Sequence, residues 1–397
     1  MTVKEDVCYR PEGFRASGVA CGLKPEGRDL ALITSDRPAA AAGVFTTNQV
    51  QAAPIRVNME HLADKTAQAI VINSKNANAC TGEQGLADAR LTARDVAGEL
   101  DIATENVLVN STGVIGVPLP MENIRSGIPT AVRELRDDGW ADASAAIMTT
   151  DTVPKMASVR IRLDGPVVTI CGIAKGAGMI APDMATMLGF VATDAGVAPH
   201  RLETCLREAV DRSFNCITVD GDTSTNDTVL LLANGAAGER PLSTAEVATF
   251  QTGLNAVCGS LARQIARDGE GATKLITVRV AGAASTHEAR TVGLSVGNSN
   301  LVKTAVFGRD PNWGRILCAI GYAGVPVDPD EVSVSMAGIP IYGRGRGLPY
   351  DTDEAIRALT ADDVDIEIDL GKGNQSATIY TCDLTYDYVR INAEYTT

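Results

Sequence analysis

Short β-branched runs alternate with helical patterns through the first two thirds of the chain, and this alternation limits the possible folds more than any other feature. The runs 69–73 (AIVIN) and 106–110 (NVLVN) end in asparagine, as buried strands that feed turns do. Between them, residues 86–100 place apolar side chains at helical spacing, and residues 202–210 repeat that spacing. The pattern predicts an α/β or α+β fold, and α/β is the class we expect.

The pattern changes in the last third of the chain. A helix is predicted from Ser243, whose hydroxyl can cap it while Glu246 completes a capping box, and Gly269 ends it. Beyond it, residues 275–280 and 364–370 alternate with period two, which is typical of strands with one solvated face. We expect a larger domain over residues 1–275 and a smaller α/β lobe over residues 276–397.

Composition excludes several classes of partner. The net charge of −14 argues against nucleic acid, because phosphate binding relies on clustered Lys and Arg. No stretch of about 20 uninterrupted apolar residues predicts a membrane span, and the N-terminus lacks the apolar core of a signal peptide. The nine cysteines form no CxxC pair, which favours reduced thiols. A cytoplasmic enzyme is expected.

The sequence contains no motif typical of histidine-based catalysis or of cofactor binding. The three histidines lie among polar residues, and no GxSxG elbow accompanies them. Neither a phosphate-binding GxxxxGK[ST] loop nor a complete dinucleotide fingerprint is present. We therefore expect no metal and no organic cofactor, and a nucleophile whose base is not histidine.

The segment 175–188, KGAGMIAPDMATML, offers such a nucleophile. A strand-like run leads into glycines and a proline, so the chain turns sharply before Ala185 and Thr186. If the Thr186 hydroxyl attacked the Ala185 carbonyl, cleavage would free an α-amine on Thr186. An α-amine has a pKa of roughly 7.7–8.0, which suits it to deprotonate its own hydroxyl. The same residues could equally begin a buried helix, and the segment alone leaves both readings open.

Several further motifs resemble the ornithine acetyltransferase (glutamate N-acetyltransferase) family. They occur in order along nearly the whole chain: NSKNANACTG from Asn73, STGVIG from Ser111, IMTTDT from Ile147, KGAGMIAPDMATML from Lys175, DTSTNDT from Asp222, DGEGATKL from Asp268, DPNWGR from Asp310 and YVRINAEYTT at the end. The resemblance implies that Thr186 is the nucleophile of a self-cleaving enzyme and that Ala185 ends its α chain. It also implies that Thr112 and Gly113 form the oxyanion hole.

The resemblance extends to substrate contacts. It implies binding roles for six residues: Thr152, Lys175, Thr186, Glu270, Asn392 and Thr397. Their chemistry suits an acetylated amino acid, because Lys175 can pair with a carboxylate and Glu270 with the ammonium of ornithine.

The implied fold is the layered α/β sandwich of self-processing N-terminal-nucleophile acyltransferases. The implied products of cleavage are chains 1–185 and 186–397, associated as an α2β2 heterotetramer. The implied reaction moves acetyl from N-acetylornithine to glutamate in arginine biosynthesis, and some family members also use acetyl-CoA. Three alternatives remain open at this point: an amide hydrolase or aminopeptidase with an N-terminal nucleophile, a paralogue in a specialised pathway, and an uncleaved binding protein.

Overall fold

The larger of two sheets is built from the first 233 residues. The structure, a computed structural model, describes residues 2–5, 7–181, 187–238 and 240–394. The first nine strands in these ranges are β1 Lys4–Glu5, β2 Phe14–Val19, β3 Leu30–Phe45, β4 Thr66–Asn73, β5 Val107–Ser111, β6 Lys155–Arg162, β7 Val167–Lys175, β8 Leu188–Thr193 and β9 Thr228–Ala233. They pair in the order β1-β6-β7-β8-β9-β3-β4-β5, with β2 beside β3.

Helices cover both faces of this sheet. They are α1 Ala53–His61, α2 Gly82–Leu100, α3 Met121–Arg133, α4 Trp140–Ala146, α5 Pro199–Asp211 and α6 Thr244–Arg267, with 3-10 turns at Leu62–Asp64, Thr104–Asn106 and Phe214–Cys216. One apolar core lies between β6–β9 and the helices α5 and α6. A second contains Trp140 of α4 on the other face, and a third lies under α2 and α3. The prediction of a layered α/β fold is confirmed.

The local sequence patterns are also confirmed. The run 69–73 lies in β4, most of 106–110 lies in β5, and the two predicted helical stretches lie in α2 and α5. At the start of α6, the Ser243 hydroxyl accepts the Glu246 N–H, and the Glu246 carboxylate accepts the Ser243 N–H. The capping box therefore forms as the sequence predicts.

The second sheet begins at Leu275. Its strands are β10 Leu275–Ala283, β11 Ser333–Met336, β12 Ile339–Gly343, β13 Arg346–Gly347, β14 Asp363–Asp369 and β15 Gln375–Cys382, in the order β13-β12-β11-β14-β10-β15. Its helices are α7 Thr286–Gly297, α8 Asn300–Phe307, α9 Trp313–Gly321, α10 Thr352–Ala358 and α11 Tyr386–Glu394. Along β14 the apolar residues are buried and the intervening acids face outward, as their period of two predicts. Among the described residues, no helix is long and apolar enough to cross a membrane.

One expectation about the cysteines is wrong. Cys8 and Cys171 form a disulfide, with their Cα atoms 5.6 Å apart, and the other seven cysteines are free. The two cysteines are 163 residues apart in sequence, so no local cysteine spacing predicts the disulfide. They meet because the N-terminal segment runs beside β6 and β7, where the Tyr9 N–H donates to the Ser158 hydroxyl.

Candidate active site

A cavity of about 130 Å³ lies where loops from both halves of the chain converge. Five of the predicted site residues line it: Thr112, Gly113, Lys175, Glu270 and Asn392. Its other lining residues are Ala77, Ile115, Thr149, Thr150, Gly178, Met179, Asp220, Asp222, Ser224, Thr225, Asn226 and Tyr388. Polar side chains with opposite charges therefore surround a small chamber.

Thr112 and Gly113 form a tight turn directly after β5. The Thr112 N–H donates to the Asn73 carbonyl at 3.0 Å and the Val114 N–H to the Lys75 carbonyl at 2.9 Å. Gly113 has φ +129°, and a Cβ there would lie 2.2 Å from the Lys75 carbonyl, so only glycine fits. Because its own N–H is engaged, Thr112 can offer a ligand its hydroxyl, while Gly113 can offer a backbone N–H.

Lys175 ends β7 with its ammonium buried in the cavity wall. Its Nζ donates to the Thr112 hydroxyl at 3.4 Å, and the residue is 2% exposed. Burial lowers the pKa of Lys175 from its usual value, and the charge of Lys155 adds to this effect. The charge of Asp151 opposes both effects on this pKa, and the Lys175 side chain lies beside the hydroxyl of the predicted oxyanion hole.

A buried ion network supports Lys175 from behind. Lys155 is fully buried, and its Nζ contacts Asp151 at 2.7 Å and Asp268 at 2.6 Å. Asp151 also accepts the Gly176 N–H at 2.7 Å. Asp268 accepts both the backbone N–H and the hydroxyl of Thr152. Thr152 therefore bonds to one member of this network, Asp268, whereas its neighbours Thr149 and Thr150 line the cavity.

Another part of the cavity wall carries the carboxylate of Glu270. The Asn392 amide donates to Glu270 Oε2 at 2.8 Å, and the Glu270 N–H donates to the Ala177 carbonyl at 2.9 Å. A Cβ on Gly178 would lie 2.3–2.4 Å from the Glu270 carboxylate. Because Gly178 has no side chain, the Glu270 carboxylate can occupy this position.

Asp220 fixes the chain on the same wall. It accepts the Met179 N–H at 2.6 Å and the Ile180 N–H at 2.8 Å, and Tyr388 donates its hydroxyl at 3.3 Å. Burial raises the pKa of Asp220, and these backbone donors oppose the increase. Burial and the charge of Asp220 raise the pKa of Tyr388, so its phenol remains a donor at neutral pH. Sequence reasoning missed both residues.

The predicted cleavage site lies outside the described residues. These exclude 182–186, and with them Ala185 and Thr186, and they also exclude the predicted ligand Thr397. The next described residue is Met187. Its N–H donates to Asp227 at 2.8 Å, and its carbonyl accepts the Thr228 N–H at 3.2 Å. The chain that follows the predicted cut is thus anchored to the start of β9.

The cavity combines hydrogen-bond donors for an oxyanion, the buried Lys175 amine and three acidic side chains, those of Asp220, Asp222 and Glu270. Such a set suits a substrate that carries both an anionic and a cationic group beside an acyl carbonyl. Among the described residues, no cluster of three or more His, Cys, Asp or Glu is arranged to hold a metal.

The whole chain is similar to proteins of one family. The family model described as ArgJ family matches residues 15–397. This chain belongs to the ArgJ family. The family match confirms the resemblance drawn from the motifs.

Curated relatives match over nearly their full length. The protein named arginine biosynthesis bifunctional protein ArgJ from Symbiobacterium thermophilum is 52% identical, with 98% of each chain covered. The protein of the same name from Geobacter sulfurreducens is 50% identical, with 97% of this chain and 99% of that protein covered.

Two solved structures of similar proteins each match about half of this chain. The arginine biosynthesis bifunctional protein argJ from Bacillus halodurans is 46% identical, with a TM-score of 0.51, 52% of this chain and 98% of that chain covered. Ornithine acetyltransferase from Mycobacterium tuberculosis, solved with ornithine, is 42% identical, with a TM-score of 0.43, 46% of this chain and 98% of that chain covered.

Proposed function

We propose that this protein is a glutamate N-acetyltransferase of arginine biosynthesis, which transfers acetyl from N-acetylornithine to glutamate through an ester on Thr186. The observation that carries the proposal is the single cavity in which Thr112, Gly113, Lys175 and Glu270 meet. Family membership supports the same activity, since the relatives are named as bifunctional proteins of arginine biosynthesis.

The first step is self-cleavage between Ala185 and Thr186. The Thr186 hydroxyl attacks the Ala185 carbonyl, the peptide C–N bond breaks, and water hydrolyses the resulting ester. This leaves a Thr186 α-amine whose pKa, roughly 7.7–8.0, allows it to act as the base for the adjacent hydroxyl.

The second step is transfer of the acetyl group by a ping-pong reaction. The Thr186 hydroxyl attacks the acetyl carbonyl of N-acetylornithine, and ornithine leaves with a proton from the Thr186 amine. The Thr112 hydroxyl and the Gly113 N–H stabilise the oxyanion, an effect worth about 3–4 kcal/mol per donor in comparable sites. The glutamate amine then attacks the acetyl ester, which releases N-acetylglutamate and restores the hydroxyl.

Two residues that line the cavity match the charges of the substrate. Lys175 is the partner for the α-carboxylate, because it is a buried cation beside the oxyanion donors. Glu270 is the partner for the side-chain ammonium of acetylornithine, and Asn392 keeps its carboxylate in place. Thr152 acts behind the wall through Asp268, and Thr397 is proposed to close the far end.

The proposal includes an assembled, two-piece enzyme. Nearly all of the Bacillus halodurans chain corresponds to only 52% of this one, which is the length expected of one processed piece. We propose an α2β2 assembly, the division at residue 275, acetyl-CoA as a second donor and a cytoplasmic location as further parts of the same hypothesis.

Intact mass and N-terminal sequencing test the cleavage. Wild-type protein should give two fragments, one of which begins at Thr186, Thr186→Ala should stay whole, and Thr186→Ser should cut because it keeps a hydroxyl. A folded wild-type chain that stays whole would overturn the mechanism and favour the binding-protein alternative.

Transfer of labelled acetyl from N-acetylornithine tests the reaction class. Labelled N-acetylglutamate is the expected product. Free acetate at the same rate, with or without glutamate, would instead identify an amide hydrolase, an alternative that family membership does not favour.

A further inference from the structure

Lys155 is a buried lysine that joins two carboxylates behind the cavity. Its side chain has no exposed surface, and it is not among the residues that line the cavity. Its Nζ contacts Asp151 Oδ1 at 2.7 Å and Asp268 Oδ2 at 2.6 Å, and it donates to the Val153 carbonyl at 3.3 Å. One side chain therefore ties together two loops that come from distant parts of the chain.

Asp151 connects Lys155 to the chain beside Lys175. Its Oδ1 accepts the Gly176 N–H at 2.7 Å, and Gly176 directly follows Lys175, the last residue of β7. Burial raises the pKa of Asp151, but the charges of Lys175 and Lys155 lower it more, so that it is about 2. Asp151 is therefore an anion at neutral pH, and it holds the backbone next to Lys175.

Asp268 connects Lys155 to the loop that carries Glu270. It directly follows α6, and it accepts the Thr152 N–H at 3.0 Å as well as the Thr152 hydroxyl. Glu270 lies two residues further on, lines the cavity and donates its N–H to the Ala177 carbonyl at 2.9 Å. Lys155 and Thr152 therefore hold the start of the loop that brings the Glu270 carboxylate to the cavity.

We propose that Lys155 fixes the spacing between Lys175 and Glu270 and thereby sets the length of the substrate side chain that the cavity accepts. A donor held by its α-carboxylate at Lys175 and by its side-chain ammonium at Glu270 must span the two residues. A side chain one methylene shorter or longer misses one of them, because hydrogen-bond lengths vary by only about 0.5 Å. The inference rests on the proposed function, since it takes both residues as substrate contacts. Lys155 itself does not touch the substrate and is a positioning residue.

The test compares three donors in acetyl transfer to glutamate by the full-length protein, each acetylated on its α-nitrogen. They are N-acetylornithine, N-acetyl-diaminobutyrate, which is one methylene shorter, and N-acetyl-lysine, which is one methylene longer. Wild-type enzyme should prefer N-acetylornithine in kcat/KM by about 10-fold or more, the usual effect of one methylene in a selective site. In Lys155→Met the link between Asp151 and Asp268 is lost, so this preference should fall towards parity. The loss for N-acetylornithine should lie mainly in KM, because the oxyanion donors are unchanged.

Milder variants decide the question if Lys155→Met does not fold, as judged by circular dichroism. Asp268→Asn keeps the side-chain volume and an acceptor for the Thr152 N–H, and Asp151 still neutralises Lys155, so the chain should fold while its hold on the Glu270 loop weakens. Thr152→Val loses the hydroxyl that Asp268 accepts, whereas Thr152→Ser keeps it. We expect the preference for N-acetylornithine to fall in Asp268→Asn and Thr152→Val and to stay at the wild-type level in Thr152→Ser.

Lys274→Met is the matched control. Lys274 is also buried, at 6% exposure, but its Nζ donates to the Ala361 carbonyl at 2.8 Å. It is not among the residues that line the cavity. Removing its ammonium should lower the free energy of unfolding and leave the preference among the three donors unchanged.

The role of Lys155 and the proposed function fail in different ways. A folded Lys155→Met or Asp268→Asn enzyme that keeps the wild-type preference overturns only the role of Lys155, and so does a wild-type enzyme that uses the three donors equally well. The same loss of preference in Lys274→Met would also overturn it, because destabilisation alone would then explain the result. A wild-type chain that transfers no acetyl to glutamate removes the proposed function and this inference with it.

Discussion

The substitution Gly178→Ala should weaken substrate binding without preventing the chain from folding. Gly178 does not need a left-handed conformation, so alanine fits its backbone. The new Cβ would instead lie 2.3–2.4 Å from the Glu270 carboxylate, which is the far end of a flexible side chain. Glu270 should rotate away, lose the 2.8 Å contact with Asn392 and leave the position where we expect it to meet the substrate ammonium.

The size of the effect follows from the interaction that is lost. A hydrogen bond to a charged group contributes about 1.5–3 kcal/mol, so kcat/KM for N-acetylornithine should fall by roughly 10- to 100-fold. Most of the loss should appear in KM, because the acetyl carbonyl and its oxyanion donors are unchanged. The assay is initial-rate transfer of acetyl to glutamate at several N-acetylornithine concentrations.

Two controls make this prediction strict. Gly259→Ala lies within α6, where a Cβ meets nothing within 4 Å, so activity should be unchanged and stability should rise by up to about 1 kcal/mol. Gly178→Ala combined with Glu270→Gln should be no worse than Glu270→Gln alone, because both act through one carboxylate. Wild-type kinetics in Gly178→Ala, or additive losses in the double variant, would refute the reasoning.

Three further predictions concern stability in urea. Lys155→Met leaves two buried carboxylates without their cation and should cost about 3–5 kcal/mol at pH 7. Arg90→Met in an exposed pair should cost less than about 1 kcal/mol, and equal losses would contradict this account. The pKa of Asp151 is about 2 because, although burial raises it, Lys175 and Lys155 lower it more. Its contribution is therefore complete above pH 3.8 and lost as pH falls towards 2, a loss that Asp151→Asn should lack. Ser243→Ala should cost about 1 kcal/mol, and an unchanged unfolding free energy would show that the capping box contributes nothing.

Local patterns predicted the elements well. The strand at 69–73, the helix at 202–210 and the capping box at Ser243 each depend on residues a few positions apart, so their signals lie within one window of sequence. The alternating acids of β14 likewise predict a solvated face, because their signal also lies within a few consecutive residues. These features follow from backbone periodicity and from hydrogen bonds at helix ends.

Contacts between distant segments could not be predicted in this way. Lys155 and Asp268 are 113 residues apart, and Asp220 meets Tyr388 across 168 residues. Neither pair has a periodic signal, because the fold alone brings them together. The motifs did indicate Thr112, Lys175 and Glu270 as site residues, but not that Thr152 would bond to Asp268 behind the cavity.

The strand order decides when the proposed cut can occur. Strands β8 and β9, which would belong to the C-terminal piece after the proposed cut, lie between β7 and β3, which would belong to the N-terminal piece. Neither piece could complete this sheet alone, and separating them would break two seams of backbone hydrogen bonds at once. We therefore expect folding to precede the proposed cut, and the two pieces to stay joined through these strand pairs.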